Sequence, residues 1–538
     1  MKNIYPKKVK NEYGEIQNSK NLLKEQELQI GLSERETTKI KGIGYVILDY
    51  GKELCGGVRI LTYHAGRDKK IRLRFGESLT ECCAEIGEKN ATNDHSLRDT
   101  IVELQDFSDM SFGQTGFRFV RIDTLNEDAE IELKSIVAVS SEDEREQVGK
   151  FESDDETINE IWTTASYTLK LCLQNGYYWD GIKRDRLVWI GDVYPEMKAA
   201  QSLYGTIPET ERSLRYAKEQ TPLGDWINGI PMYSMWWLII LSDHYLYGGD
   251  RRFVEEQLAY AEELISEFEK YVDEEGETHF EYNFIDWPTH YEGGKDDIKQ
   301  QDEKTGVNYL LRIALQKTGT LMKALGRKSE SCERLLQKLS KKQCEVKKYK
   351  QIASLGVWSG ERTENNREVL LRNGAEGMST FMSYEILTSC AMLGEYENAL
   401  QMMKEYYGGM LKLGATTFWE DFDVKWLERA SRIDEQPKQG EKDVHGDCGA
   451  FCYKGFRHSF CHGWSSGVIA YLTEQVLGIK AEEVGFRKVR IEPHLSGLRH
   501  VKGSCPTPFG VIEVEYNTDE TGRIEKRIKV PSGIEIAE

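Results

Sequence analysis

The stretch SSEDEREQVGKFESDDETINEIWTTASYTLKLCLQ, residues 140 to 174, is where the chain changes character. Ahead of it the apolar residues fall in short β-branched runs. Within it they begin to recur at Ile158, Ile161, Trp162, Ala165 and Leu169, the 3.6-residue period of an amphipathic helix. The acidic run that separates the two patterns marks a domain boundary. Working back, GYVILDYG, GGVRILTYHA, KKIRLRFGES, FRFVRIDTL and AEIELKSIVAVS read as strands over residues 41 to 140, and strands without helices between them predict a β-sandwich or jelly roll. Working forward, PETERSLRYAKEQ, MYSMWWLIILSDHYLYGG, FVEEQLAYAEELISEFEKYV, NYLLRIALQKTGTLMKALG and TFMSYEILTSCAMLG keep the helical period, several closed by glycine as at Gly248, Gly326 and Gly394. Ten or more helices predict an all-α array or toroid. Strand patterns return in FRKVRIEPH, VIEVEYN and RIEKRIKVPSG. The expected layout is a β-sandwich over 1–150, a helical domain over 151–478 and a small β domain over 479–538.

A chain of 538 residues is too long for one ordinary core. Its net charge of −19, from 71 basic and 90 acidic residues, argues against nucleic acid or an anionic membrane as partner. The one basic run, KLSKKQCEVKKYK at 338–350, reads as a solvated helix face. MKNIYPKKVKNEYGE carries charge but no apolar core, so no secretory signal is expected, and no uninterrupted apolar window is long enough to span a bilayer. Eleven cysteines without a regular framework suit a reducing compartment, and a cytoplasmic location is expected. Cys448, Cys452 and Cys461, with His458 or His462 nearby, match no standard zinc spacing, so neither a metal nor another cofactor is expected. The 27 tyrosines and 11 tryptophans offer flat apolar faces with polar edges, as sugar-handling proteins use and large cores also do.

Chemistry concentrates in three loops. WDGIKRDRLVWIGD, 179 to 192, gathers Asp180, Asp185, Asp192, Lys183, Arg184 and Arg186 with Trp179 and Trp189. A surface ion-pair cluster would explain the charges but not the tryptophans or the apolar run from Leu187 to Ile190. Were 185–192 helical, Asp185, Trp189 and Asp192 would share a face. Asp192 also reads as an N-cap, since a helix pattern with Pro195 in its first turn follows. GATTFWEDFD, 414 to 423, places Glu420, Asp421 and Asp423 beside Trp419, and HSFCHGWSSG, 458 to 467, places His462 beside Trp464, with Ser466 as the cap of the next helix. A lone histidine is as readily a structural donor as a sugar contact. Acids on separate loops, each beside an indole, are what glycoside hydrolysis requires: one protonates the leaving oxygen and one activates water or attacks. No nucleophile elbow, phosphate loop, dinucleotide fingerprint or H-E-x-x-H motif is present.

DGIKRDRLVWIGD resembles a signature of the bacterial alpha-L-rhamnosidases, six-hairpin (α/α)6-toroid glycoside hydrolases, and GATTFWED resembles their second signature. HSFCHGWSSG and the tail from Val489 are also similar to that family. The resemblance implies an inverting hydrolase without a cofactor, acting on a rhamnose-containing glycoside. Asp185 falls where the family's general acid stands, usually a glutamate, and Glu420 falls on the general base. Asp180, Arg184, Trp189 and Asp192 match sugar-holding positions, Trp287 an aromatic wall, and His462 a sugar-binding histidine, with Trp419 and Trp464 as further sugar contacts. Aspartate is one methylene shorter than glutamate, and two flanking arginines oppose the proton a general acid must hold. The expected resolution is that Arg184 bonds Asp180 or sugar, leaving Asp185 against Trp189. Inversion further implies Asp185 and Glu420 carboxyls about 6.5–9.5 Å apart, retention about 5 Å.

Overall fold

The computed structural model describes residues 2–537. Its N-terminal part is one seven-stranded antiparallel sheet, ordered Lys2–Ile4, Glu130–Ser140, Thr38–His64, Ser108–Thr124, Lys70–Gly76, Asp99–Glu103, with Lys8–Gln17 also paired to Thr38–His64. GYVILDYG and GGVRILTYHA are thus halves of a single strand. Its pairing with Ser108–Thr124 shifts register between Asp49 and Leu54, and such irregularities let a long strand bend. Gly56 sits where a Cβ would lie 2.0 Å from the Val139 carbonyl oxygen, so no larger residue fits. The two strands before residue 41 gave little signal in the sequence because most of their residues are exposed.

From Glu156 the chain forms helices in alternation. The inner ones, Ile190–Tyr204, Pro231–Gly248, Asp297–Ala324, Lys350–Trp358, Ser383–Met392 and Val468–Tyr471, touch one another in sequence, and the last returns to the first to close a ring. The helices between them, Glu156–Cys172, Pro208–Glu219, Arg251–Glu269, Glu330–Leu339, Glu364–Leu371 and Tyr396–Lys412, are two-faced and pack outside. Burial explains the difference: Pro231–Gly248 is buried on every side and encloses Trp236 and Trp237, whereas Arg251–Glu269 buries only one stripe. Twelve helices in six hairpins make an (α/α)6 toroid. The basic run at 338–350 is mostly not helical: the helix stops at Leu339, and Lys338 and Lys342 pair with Glu274 and Glu277 across a loop.

The C-terminal part holds two small sheets. One joins Ile479–Ala481, Lys488–Ile491 and Glu535–Ile536; the other joins Ile524–Lys529, Gly510–Thr518, His500–Thr507 and, from the far side of the toroid's sequence, Lys150–Ser153. The acidic boundary segment therefore contains a strand that belongs to the C-terminal sheet.

Candidate active site

Residues 179–189 are not helical. After a two-residue hairpin, Leu173–Gln174 against Tyr177–Tyr178, the chain runs irregularly to Ile190, where the next helix starts. Asp185 and Arg186 take φ of 53° and 60°, a region that non-glycine residues seldom occupy. Asp180 holds the loop closed: its N–H donates to the Leu187 carbonyl (3.1 Å) and its Oδ1 accepts from the Leu187 N–H (2.8 Å). The helical face expected for Asp185, Trp189 and Asp192 does not exist. Trp189 takes the N-cap position, and Asp192 lies in the first turn rather than capping it. Even so, Trp189 Nε1 donates to Asp185 Oδ2 at 3.3 Å.

Main-chain bonds tie both this loop and the 414–423 loop to the 458–467 loop. The Gly463 N–H donates to the Asp180 carbonyl (2.6 Å), the His462 N–H to Phe418 (3.0 Å), and the Glu420 N–H to Ser459 (2.9 Å). Position 463 is glycine because a Cβ would stand 1.7 Å from Glu196 Oε1. Ser466 bonds back to the Gly463 carbonyl instead of capping the helix that follows.

The three loops enclose a cavity of about 240 Å³ lined by Asp180, Arg184, Asp185, Trp189, Asp192, Trp287, Glu420, His462 and Trp464. Nine of the ten sequence candidates thus share one hollow. Trp419 does not. It is fully buried and stacks on Phe460 with ring centroids 4.2 Å apart, so it is core. Asp423 caps the turn Val424–Glu428, and burial pushes Asp421 up to about 8. Tyr233, Tyr282, Phe284, Asn228, Ile230 and Cys452 also line the cavity. Tyr233 belongs to a helix buried on every side, where nothing in the pattern separates a wall residue from core.

The electrostatics centre on Arg184, 6% exposed. Its Nη2 donates to both Glu420 oxygens (2.5 and 2.6 Å), its Nη1 to Asp185 Oδ1 (3.0 Å) and its Nε to the Arg457 carbonyl (2.9 Å). The expected Arg184–Asp180 bond is not formed; Glu420, 236 residues away, takes that place. The Ser459 N–H adds a third donor to Glu420, at 3.0 Å. Arg186 turns away, bonding Gln114 and lying over the Trp179 ring. Burial, then neighbouring carboxylates, pushes Asp180 and Asp192 well above the usual range. Burial also holds His462 well below its ordinary value, so the ring is neutral; its nitrogens lie 3.7 Å from Asp180, 3.9 Å from Asp192 and 3.8 Å from Glu420. A residue that the sequence gave no reason to suspect, His95 of the N-terminal domain, places Nε2 3.4 Å from Asp185 Oδ1.

Three bacterial alpha-L-rhamnosidase family models match in order: the concanavalin-like domain over 40–140, the 6 hairpin glycosidase domain over 146–348 and the C-terminal domain over 478–537. The chain belongs to the bacterial alpha-L-rhamnosidase family. Solved structures of similar fold include the GH78 family rhamnosidase of Bacillus sp. GL1 (18% identity, TM-score 0.73, 96% of this chain and 55% of that one). The alpha-L-rhamnosidase from Dictyoglumus thermophilum (19%, TM-score 0.69, 93% and 58%) and the Klebsiella oxytoca rhamnosidase with rhamnose bound (18%, TM-score 0.64, 81% and 88%) are others. This rhamnosidase-family chain therefore spans just over half the length of the first two. No curated protein sequence matches it. The hairpin model ends at residue 348, so Glu420 and His462 lie beyond it, and it is the geometry that joins them to Asp185.

Proposed function

We propose that this rhamnosidase-family protein is a glycoside hydrolase that removes a terminal α-L-rhamnose, or a closely related sugar, by inversion. One observation carries the reading: a single guanidinium, Arg184, bridges Asp185 and Glu420 from loops far apart in sequence, inside one aromatic-walled cavity. Glu420 is the general base. Arg184 and the Ser459 N–H hold its carboxylate and orient it toward the water that attacks the anomeric carbon. Asp185 protonates the departing oxygen, which requires the sugar to draw it off Arg184. Trp189 and Trp287 wall the hollow. The rhamnose bound to the Klebsiella oxytoca relative supports the sugar assignment. The partner is a rhamnose-containing glycoside rather than nucleic acid or membrane, and eleven unpaired cysteines favour the cytoplasm.

A second acid assignment has its own support. Asp192 is buried at the same cavity, and burial with the charges of Glu420 and Asp185 favours its protonated form, as a general acid needs. Leaving-group dependence separates the two. The variant lacking the acid keeps activity on an aryl glycoside with a highly acidic phenol and loses it on an alkyl glycoside. Asp185→Asn is expected to behave so, and the same pattern in Asp192→Asn alone would move the role. The function itself is tested by NMR of the first-formed anomer over a panel of aryl glycosides. An α-rhamnoside yielding the β anomer first is expected; α first, or hydrolysis of other sugars only, overturns the reading.

A further inference from the structure

Beneath the site, at the junction with the N-terminal β domain, lies a second cluster of buried ionisable groups. Glu77 and Glu81 flank Ser78, the N-cap of the short helix Leu79–Cys83, and both are at most 1% exposed. Lys183 enters between them: Nζ stands 2.9 Å from Glu77 Oε2 and 3.1 Å from Glu81 Oε1, and it donates to the Phe456 (3.0 Å) and His458 (2.5 Å) carbonyls. His445 completes the cluster, donating Nε2–H to the His458 carbonyl (2.9 Å) and accepting the Ser78 hydroxyl at Nδ1 (2.7 Å). The two glutamates and His445 bring their ligand atoms within 4.8 Å of one another, as a metal site would, but the Lys183 ammonium already supplies the positive charge there.

What ties this cluster to the chemistry is adjacency in the chain. Lys183 binds Glu77, and the next residue, Arg184, binds Glu420. The Phe460 N–H donates to Glu77 Oε2 (2.7 Å), and the preceding Ser459 N–H donates to Glu420 Oε2 (3.0 Å). Two dipeptides, 183–184 and 459–460, therefore each grip Glu420 with one residue and Glu77 with the other. Because the two members of each dipeptide share a planar peptide unit, anchoring one limits how far its neighbour can move.

We propose that Glu77 is a positioning residue for the reaction: from the N-terminal β domain it anchors both segments that orient the Glu420 carboxylate. This rests on reading Glu420 as the base. A shift of about 1 Å in such a group is enough to cost on the order of 100-fold in rate. Glu81 touches Lys183 and the Glu77 N–H but not Phe460, so its share is smaller.

The test compares Glu77→Gln and Glu81→Gln in the full chain. Glu77→Gln is expected to lower kcat on an aryl rhamnoside about 10- to 100-fold, with KM changed less than about threefold, and Glu81→Gln to lower it less. Hydrogen exchange read by mass spectrometry is expected to rise in peptides covering 183–187 and 458–461 of Glu77→Gln while the toroid's outer helices stay protected. A kcat within about twofold of wild type, or unchanged exchange in those peptides, overturns the proposal. So does exchange that rises evenly over the whole chain, since that is a structural role only. Should Glu77→Gln not fold, Glu77→Asp, which keeps the charge but withdraws it, is read by the same criteria. Absence of rhamnoside hydrolysis by the wild type would overturn the function instead, and the exchange comparison would still judge the anchoring.

Discussion

The two ends of the Ile190–Tyr204 helix border buried carboxylates in opposite states. Near its start, Asp192 and Glu196, with Asp180 beside them, are buried without a cation in contact, and all three are pushed well above the usual carboxylate range. Further along, Lys198 and Gln201 line a second cavity of about 350 Å³, where each acid has its own ammonium: Lys317–Asp243 at 2.5 Å and Lys198–Glu474 at 2.6 Å. Tyr194 and Tyr384 add hydroxyl donors to Asp243 and Glu474, and Asp243 is held below its ordinary value, chiefly by Lys317 and Lys198 against the opposing cost of burial. Burial is common to both ends, so burial alone does not make a reactive site. What differs is the counter-charge: Asp180, Asp192 and Glu196 have none in contact, because the cation of that end, Arg184, is held by Asp185 and Glu420.

The comparison breaks most directly at Glu420. Glu420→Gln is expected to lower kcat about 10²- to 10⁴-fold with little change in sugar affinity, measured by initial rates and by rhamnose titration. Near-normal turnover would mean that the end of the helix at the 240 Å³ cavity is not the reactive one. Trp287→Ala tests the wall rather than the charge: about a tenfold rise in KM, with kcat little changed, is expected from losing a stacking face. Asp243→Asn, at the compensated end, should leave rates at assay temperature near wild type. It strands Lys317 and costs about 3–5 kcal/mol of stability, read by denaturant unfolding. The smallest effect is a pH signature. Burial raises Asp286, under Trp287, to about 7, so its contribution is full below the unfolded value near 4 and is lost as pH rises through 7. Asp243 is lowered, so its contribution is present above the unfolded value and lost as pH falls through the folded one. Asp286→Asn should flatten a Tm–pH curve between about pH 4 and 7, and Asp243→Asn should flatten it below about pH 4; the reverse pattern would refute the assignment of charge states.

How much of this could be read from the sequence depended on distance along the chain. The change of period at residue 156 and the buried helices were legible because periodicity is local. The contents of the 179–192 loop were legible as chemistry but not as geometry, since two consecutive left-handed residues remove the helical face that spacing implied. Arg184 illustrates the limit: its neighbours suggested Asp180, yet its partner lies beyond two hundred residues of intervening toroid. Trp419 and Trp464 had the same local context, a tryptophan beside an acid or histidine. Only packing separates the one stacked in the core on Phe460 from the one facing the cavity. Glu77 and His95 sit in a domain whose sequence reads as strands alone, so nothing nearby signalled that they reach the site.

The strand Lys150–Ser153 pairs with His500–Thr507 at Ser153↔Val501, across roughly 350 residues that include the entire toroid. The ring is therefore buckled shut by a sheet whose halves leave the ribosome far apart in time. During synthesis the early strand has no partner until the late one emerges, and its four-residue length keeps the open edge short in the interval.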